Sequence, residues 1–231
     1  MDTKGFPGLS GNQLKLIALV TMTIDHVGML LFPRLRILRY IGRIAFPIFA
    51  YMIAEGCHYT RNRRKYLLSM IFVAALCQVV YFFAMGSLYM SVLVTFSLSI
   101  GLIYLADYAQ SGGRFGTALL YAAVCVIVFL CYFAHDALFP KTDFGIEYGL
   151  FGVLLPVFTY FGAKKQKKLQ YFTVALALMN LTWGGIQWAS MAAVPFIALY
   201  NGKRGKRKMK YLFYIYYPAH LVVIYGLSLL V

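Results

Sequence analysis

The sequence predicts an all-α fold, a polytopic integral membrane helix bundle, and three observations carry this prediction. Of the 231 residues, 61% are hydrophobic and only 13% are charged, whereas a water-soluble domain of this length exposes far more charge. Apolar runs of about 17 to 22 residues recur along the chain, and a helix of that length crosses the hydrocarbon layer of a bilayer. No stretch has the composition of a soluble module, so residues 1–231 are predicted to form a single transmembrane domain.

Seven apolar runs each predict one membrane-spanning helix. In chain order they are residues 14–32, 40–58, 66–85, 90–108, 115–135, 145–161 and 211–230. An eighth run, residues 169–200, is too long for one span and short for two, since a straight helix rises ~1.5 Å per residue. Its middle, NLTWGGIQW, holds two glycines and several polar groups. We therefore predict two short helices there, either spanning or re-entrant, and about nine helical segments in total.

Positively charged residues predict the orientation of these helices. With the N-terminus in the cytoplasm, most of the 22 Lys and Arg residues fall on the cytoplasmic side, as the positive-inside rule requires. The basic loops can face the anionic headgroups of the lipid bilayer, which accounts for most of the net charge of +15. No nucleic acid partner is needed to explain this charge.

One cluster of arginines breaks the rule and falls on the outer side. Its members are Arg34, Arg36, Arg39 and Arg43. The predicted outer loop, residues 135–148, carries three of the seven acidic residues of the chain. They are Asp136, Asp143 and Glu147. These opposite charges either neutralise one another or form a rim that binds an acceptor molecule.

Ionisable residues inside predicted spans are functional candidates, because a charge facing lipid is strongly disfavoured. The first helix carries Asp25 and His26 within the apolar stretch TMTIDHVGMLLF. Lys15 precedes His26 by about three helical turns, so the two share one helix face and lie ~16 Å apart along the axis. A neutral imidazole is suited to act as a general base, and the alternative is a structural hydrogen bond between helices. Asp25 points about 100° away and is expected to meet a partner on another span.

Two other spans carry polar candidates. Glu55, near the inner end of the second helix, is either functional or a salt-bridge partner of the basic loop that follows it. In the last helix, Pro218 is predicted to loosen the hydrogen-bond ladder beside Tyr217 and His220. A second embedded histidine favours an active cavity. The four cysteines stand singly in apolar segments without metal-ligand spacing, so no metal site is predicted.

The stretch YNGKRGKRKMKY before the last helix combines glycine with positive charge. Gly202 and Gly205 flank Lys203 and Arg204, and Asn201 precedes them. Glycine lets backbone amides approach an anion, and Lys and Arg neutralise phosphate groups. The loop therefore either binds a phosphate-bearing ligand or serves only the topology.

Four stretches, taken in order, resemble the TraX family of membrane proteins. They are LKLIALVTMTIDHVGMLLF, GRIAFPIFAYMIAEGCHYTRNRRKYLLSM, TDFGIEYGLFGVLLP and LYNGKRGKRKMKYLFYIYYPAHL. The family is named for an enzyme that N-acetylates the pilin subunit of a conjugative pilus. It is similar in turn to the acyltransferase-three superfamily of membrane acetyltransferases, whose first helix carries a basic residue ahead of an essential histidine. Here that pair would be Lys15 and His26, with Lys where the superfamily usually has Arg.

The resemblance implies an acetyl-CoA-dependent acyltransferase, a multi-pass protein of the bacterial cytoplasmic (inner) membrane. It would move an acetyl group from cytosolic acetyl-CoA to an amine or hydroxyl at the outer side, with an intramembrane histidine as base or acyl carrier and without a metal. The acceptor would be a protein such as a pilin N-terminus, a glycan or a lipid.

The implied roles fall into three sets. The residues expected to act in catalysis are His26, Asp25, His220 and Tyr217. The residues expected to bind acetyl-CoA are Lys15, Arg61, Arg64, Lys65, Asn201, Lys203 and Arg204. The residues expected to bind the acceptor are Arg43, Glu55, Asp143, Glu147, Asn180 and Trp183.

Two functions of other classes compete with this one. The first is a proton-coupled transporter, in which Asp25, Glu55 and the two embedded histidines form a relay. No internal repeat is visible, although transporters of this kind are often built from repeats. The second is a non-catalytic membrane component of a conjugation or secretion apparatus, for which replacement of His26 would leave function intact.

Overall fold

The computed structural model describes residues 8–205 and 210–230, which are nearly all helical. In chain order the α-helices are α1 (Gly11–Leu30), α2 (Arg36–Gly42), α3 (Ala45–Tyr59), α4 (Arg63–Met85), α5 (Val92–Ser111), α6 (Gly113–Tyr132), α7 (Ala134–Leu138), α8 (Gly149–Tyr160), α9 (Lys165–Trp183), α10 (Ala193–Ala198) and α11 (Lys210–Ser228). A 3₁₀ helix, Gly185–Ala192, stands between α9 and α10. The helical class is confirmed, and the basic residues at 4 and 206–208 of the predicted cytoplasmic segments lie outside the described residues.

Within the described residues, five helical stretches are long and apolar enough to cross a membrane. They are Gly11–Leu30, Arg36–Tyr59, Arg63–Phe83, Val92–Ser111 and Gly113–Tyr132. Shorter apolar helices follow at Gly149–Tyr160, Gly185–Ala198 and Ile215–Ser228. These stretches indicate an integral membrane protein. The total of nine segments and the cytoplasmic N-terminus stay predictions.

The chain divides into two compact units. The first unit contains Met1–Met52 and Asn180–Val231, and the second contains Ile53–Met179. Most of the polar candidates named by the sequence belong to the first unit.

In the first unit, α1 begins with a reciprocal cap. The Ser10 hydroxyl accepts a hydrogen bond from the backbone N–H of Gln13, and the Gln13 side chain accepts one from the backbone N–H of Ser10. This arrangement satisfies helix-end donors that would otherwise have no partner. From there α1 runs without a break through both Lys15 and His26, so the predicted separation along one helix holds.

A break between α2 and α3 was not predicted. The apolar pattern predicts one helix over residues 40–58, whereas the chain turns at Arg43 and Ile44 between the two helices. α2 packs against α1, and a Cβ atom on Gly42 would overlap the side chain of Asp25. The glycine therefore permits the close approach of the two helices, which hydropathy alone does not reveal.

The long apolar run 169–200 is interrupted where the sequence predicts. α9 ends at Trp183, and Gly184 and Gly185 both adopt positive φ angles, 64° and 51°. Such angles suit glycine and disfavour other residues. Of the two short helices predicted, α10 is short, with 6 residues, whereas α9 has 19, and the 3₁₀ helix lies between them. Because a 3₁₀ helix has about three residues per turn, Gln187 and Ser190 lie on the same face of it.

The second unit is a helix cluster with a small sheet. α5, α6 and α8 share an apolar core of Leu102, Ile127 and Val153. Two strands, β1 (Tyr89–Met90) and β2 (Gly145–Ile146), pair in parallel. The sequence predicted a helix from residue 145, but the pairing with β1 delays the start of α8 until Gly149.

Candidate functional site

Two histidines that the sequence named separately are in contact. His26 on α1 and His220 on α11 meet edge to face, with their ring centroids 4.9 Å apart. The two helices pack against each other in the first unit, which brings residues 194 positions apart in sequence into one place. His220 is buried, with 6% of its surface exposed.

Each histidine makes the same kind of hydrogen bond to its own helix. Nδ1 of His26 lies 2.9 Å from the Met22 carbonyl oxygen, and Nδ1 of His220 lies 3.0 Å from the Tyr216 carbonyl oxygen. A carbonyl oxygen can only accept, so each Nδ1 carries the hydrogen and a neutral ring keeps its lone pair on Nε2. Among the described residues, the buried Nε2 of His220 has no hydrogen-bond partner. The pair therefore offers basic nitrogen atoms inside a helix bundle.

Tyr216 and Thr23 lie beside the two histidines, and neither was predicted from the sequence. The Tyr216 ring stacks on His220 at 5.4 Å and 7°, and its hydroxyl lies 2.7 Å from the Thr23 hydroxyl. Thr23 donates its only hydroxyl hydrogen to the Leu19 carbonyl, so Tyr216 must be the donor in its bond to Thr23. Residues three or four apart share a helix face, and that spacing from the two histidines was the available signal.

Tyr217, named by the sequence, also touches the histidine pair. Its ring meets that of His220 edge to face at 5.4 Å. Tyr217 is buried, with 9% of its surface exposed. Three aromatic rings, those of His26, Tyr216 and Tyr217, therefore contact His220.

Asp25 has its expected partners on another segment. Its carboxylate lies 2.8 Å from Arg39 and 3.3 Å from Arg43, and Arg39 also donates to the Asp25 backbone carbonyl. Arg43 is largely buried, with 13% of its side chain exposed, and its expected role in acceptor binding stays a prediction. Both guanidinium groups lie in electrostatic range of His26. Asp25 thus positions two cations rather than touching the histidine.

A row of polar side chains continues from Arg43. Arg43 donates to Gln187 at 3.4 Å, and one 3₁₀ turn further the Ser190 hydroxyl donates to Asn180 at 3.0 Å. Asn180 and Ser190 are fully buried, and Gln187 is 5% exposed. Trp183, by contrast, has 51% of its surface exposed. The sequence named Asn180 but missed Gln187 and Ser190, which are uncharged and stand in an apolar run.

The glycine-flanked loop folds onto the first turn of α1. The carbonyl oxygens of Lys203 and Arg204 accept hydrogen bonds from the first two amides of the helix, at 2.8 and 3.0 Å. Asn201 accepts from the Lys203 amide, so this amide is not available to cradle an anion as the sequence suggested. The Arg204 guanidinium lies in electrostatic range of the Lys15 ammonium. If phosphate groups bind at this loop, they would therefore be bound by its charged side chains rather than by its backbone amides.

The remaining candidates lie in the second unit. Arg61, Arg64 and Lys65 are exposed near the start of α4, and their expected role stays a prediction. Glu55 forms a buried ion pair with Lys168 at 2.6 Å. Glu55 is therefore a salt-bridge partner, which was one of its two predicted roles. Its partner is Lys168 rather than a residue of the basic loop that follows α3.

Two acidic residues of the predicted outer loop bind backbone amides of the second unit. Asp143 accepts from the Ser87 hydroxyl and, at 2.8 Å, from the Leu88 amide. These two donors lower the pKa of Asp143 below its ordinary value, because they stabilise the charged carboxylate. Glu147 accepts from the Val92 amide at 2.7 Å, where α5 begins. Both carboxylates therefore have a structural role in addition to any role in acceptor binding.

The fold and site define a class, a polytopic membrane protein with a histidine pair and an Asp–Arg cluster among its helices. The sequence profile described as "TraX: TraX protein" matches residues 10–228, and the chain belongs to the TraX family. It is 26% identical to the "Probable fimbrial assembly protein FimC, serogroup H1" of Dichelobacter nodosus, over 93% of this chain and 94% of that protein.

A second relative is similar over a short stretch. The "Uncharacterized protein RP591" of Rickettsia prowazekii (strain Madrid E) is 55% identical over 38 residues, which are 16% of this chain and 15% of that protein. No solved structure matches the chain.

Proposed function

We propose that this protein is an integral membrane acetyltransferase of the bacterial cytoplasmic membrane. It moves the acetyl group of cytosolic acetyl-CoA to an amine or hydroxyl that arrives at the outer side. The observation that carries the proposal is the contact of His26 with His220, each with its Nδ1 hydrogen bonded to a backbone carbonyl and its Nε2 lone pair left for chemistry. Membership of a family named for a pilin-acetylating enzyme supports it.

The topology that goes with this proposal has about nine helical segments and a cytoplasmic N-terminus. Lys15 then stands at the cytoplasmic end of α1 and His26 in its outer half, ~16 Å further along the axis. An enzyme that spans the membrane in this way can use a donor from one side and an acceptor from the other.

The cytoplasmic end of α1 is suited to the nucleotide part of acetyl-CoA. Lys15 and Arg204 bring two positive charges into electrostatic range of each other, an arrangement that an anion between them would stabilise. Lys203 adds a third, exposed charge on the same loop. These residues would hold phosphate groups by charge-assisted hydrogen bonds.

The chemical step is a proton-coupled acyl transfer. Nε2 of His26 takes the proton of the acceptor amine or hydroxyl while the acceptor atom bonds to the acetyl carbon. The carbon–sulfur bond then breaks, and the proton passes to the departing thiolate, so CoA leaves as the thiol. Arg39 and Arg43, in electrostatic range of His26, stabilise the negative charge on the acetyl oxygen. The same Nε2 lone pair would carry the acetyl group if the route is covalent.

The test uses the purified protein and acetyl-CoA labelled in its acetyl group. We expect binding of acetyl-CoA and slow release of CoA with water as acceptor, and at least ~100-fold slower release after His26→Ala. His135→Ala, at a half-exposed histidine, is the matched control and should behave as the unchanged protein. Absence of both binding and release in the unchanged protein would overturn the proposal.

The name of the Dichelobacter nodosus relative, a probable fimbrial assembly protein, favours one alternative, a non-catalytic part of a fimbrial assembly apparatus. Piliation and acetylation of the acceptor, measured together in cells that carry His26→Ala, separate the two functions. An assembly role without chemistry predicts normal pili with this variant, whereas an enzymatic role predicts that acetylation is lost although the variant is inserted at normal levels.

A further inference from the structure

One row of buried polar groups in the first unit is not explained by contacts among the described residues. It consists of Arg43, Gln187 and Asn180, together with Ser190, which bonds to Asn180 and lies one 3₁₀ turn from Gln187, and we call it the donor row. The Arg43–Gln187 and Ser190–Asn180 distances are 3.4 and 3.0 Å. Gln187 and Ser190 are one turn apart on a 3₁₀ helix, about 6 Å along its axis. The side chains of the row are therefore close neighbours.

Each member of the donor row has a nitrogen atom with no partner. Among the described residues, Nε of Arg43, Nε2 of Gln187 and Nδ2 of Asn180 are buried without a hydrogen bond. Gln187 is 5% exposed and Asn180 is fully buried. A buried polar group without a partner costs about 1–3 kcal/mol, and three in one row indicate a missing partner rather than chance.

All three of these nitrogen atoms are donors, and the acceptors of the row are already used. The Gln187 oxygen accepts from Arg43, whose guanidinium can only donate, so the Gln187 amide nitrogen must point elsewhere. The Asn180 oxygen accepts from the Ser190 hydroxyl. A ligand that fits the row must therefore supply acceptor atoms.

The charge of the cluster selects the kind of acceptor. Asp25 is shared by Arg39 and Arg43, so two positive charges face one negative charge. A water molecule could accept hydrogen bonds from the row but would leave the surplus positive charge in place. An anionic oxygen group would satisfy the donors and neutralise that charge.

We propose that the donor row is a binding site for an oxyanion, a carboxylate or phosphate group that the protein does not itself provide. The group belongs either to a small molecule or to an anionic lipid headgroup. The site rests on its own contacts and not on acetyl transfer. If the protein is also an acetyltransferase, the proposal narrows its acceptor to a molecule that carries such a group.

Formate and formamide are the probes, since they match in size and differ in charge. We expect the purified protein in neutral detergent to bind formate and inorganic phosphate saturably at constant ionic strength, and not formamide. Hydrogen exchange should slow in the backbone of residues 184–192 when formate is added. Gln187→Glu and Asn180→Asp put a carboxylate into the row itself, so each should weaken formate binding by about tenfold or more. Gln13→Glu, the same change at an exposed cap, is the control.

Two results of the formate experiment would overturn the proposal outright. Equal effects of formate and formamide, or no binding of formate, would mean that buried water alone fills the donor row. Formate binding that survives in both acidic variants would place the site elsewhere and would also overturn it. If neither variant accumulates, slowed exchange confined to residues 184–192 in the unchanged protein supports the site, and its absence overturns it.

Bilayer discs of defined lipid identify the source of the oxyanion. In phosphatidylcholine discs the formate affinity should match that in detergent. If phosphatidylglycerol at one third of the lipid weakens formate binding by about tenfold, a lipid headgroup occupies the row; an unchanged affinity assigns the row to a small molecule. Either result supports the oxyanion site. Formate binding in detergent and in discs can be measured whether or not the protein releases CoA. Failure of the acetyltransferase proposal would therefore be distinguishable from failure of the oxyanion site.

Discussion

At the scale of single residues, Asp25 controls the charge of the histidine neighbourhood. Its carboxylate pairs with Arg39 and Arg43, and removal of one member of a largely buried pair leaves uncompensated charge. We expect Asp25→Asn to lower the free energy of unfolding by about 1–3 kcal/mol, because two guanidinium groups then lack a counterion. Thermal and denaturant unfolding in detergent measure the change.

The matched control for Asp25→Asn is Asp136→Asn. The Asp136 side chain is 86% exposed, so its replacement should change stability by less than about 0.5 kcal/mol. Equal losses in the two variants would contradict a special role for the Asp25 cluster.

Residues that carry charge inside apolar sequence could be predicted, whereas most of the uncharged polar residues of the site could not. Asp25, His26 and His220 stand out because an ionisable group in lipid is strongly disfavoured. Gln187 and Tyr216 have no such signal in a chain with 19 tyrosines. Their importance comes from contacts with Arg43 and Thr23, which are distant in sequence, and pairings of that kind are set by helix packing.

At the scale of elements, the packing of α2 on α1 depends on Gly42. A Cβ at this position would overlap Asp25, so Gly42→Ala must displace the carboxylate from its arginines or separate the helices. We expect a loss of about 1–3 kcal/mol in the free energy of unfolding. The same substitution at Gly101 in α5, where nothing lies within 4 Å, should instead raise stability by about 0.5–1 kcal/mol. A loss at both positions would mean that alanine is harmful in these helices generally.

The Ser87–Asp143 link joins the segments that precede β1 and β2, and it should respond to acid. Hydrogen bonds from Ser87 and Leu88 lower the pKa of Asp143, so the link contributes to stability above the ordinary value of 3.8 and is lost as pH falls through the lowered pKa. Ser87→Ala should raise the pKa of Asp143 towards its ordinary value. Carbon NMR titration of the carboxyl group measures this, with Ser111→Ala as the control; identical titrations in all three proteins would exclude the link.

The ends of helices agreed with the sequence prediction where local backbone preferences set them. They differed from it where contacts between distant segments set them. The break at Gly184 was predictable, because paired glycines and polar residues interrupt the apolar run. The turn between α2 and α3 was not, since the run 40–58 is apolar apart from Arg43, Glu55 and His58, and the Arg43 contact at the turn is with Asp25, 18 positions away in sequence. The β1–β2 pairing joins segments more than 50 residues apart, and no local pattern encodes it.

At the scale of the whole molecule, the distribution of charge predicts which side of the membrane each loop faces. The loop with Lys203 and Arg204 should be cytoplasmic, because the positive-inside rule keeps basic loops on that side. A single cysteine introduced by Arg204→Cys should therefore resist a membrane-impermeant maleimide in intact cells and react after the cells are opened. Lys141→Cys, in the predicted outer loop, should react in both conditions.

The four native cysteines are replaced by serine in the parent for this experiment, so that each variant reports one position. Reaction of Arg204→Cys from outside, with Lys141→Cys protected, would invert the topology. The cluster of Lys15 with Arg204 would then face away from cytosolic acetyl-CoA, and the acetyltransferase proposal would lose its donor site while the oxyanion site of the donor row would be unaffected. Labelling therefore tests the one feature on which the direction of acetyl transfer depends.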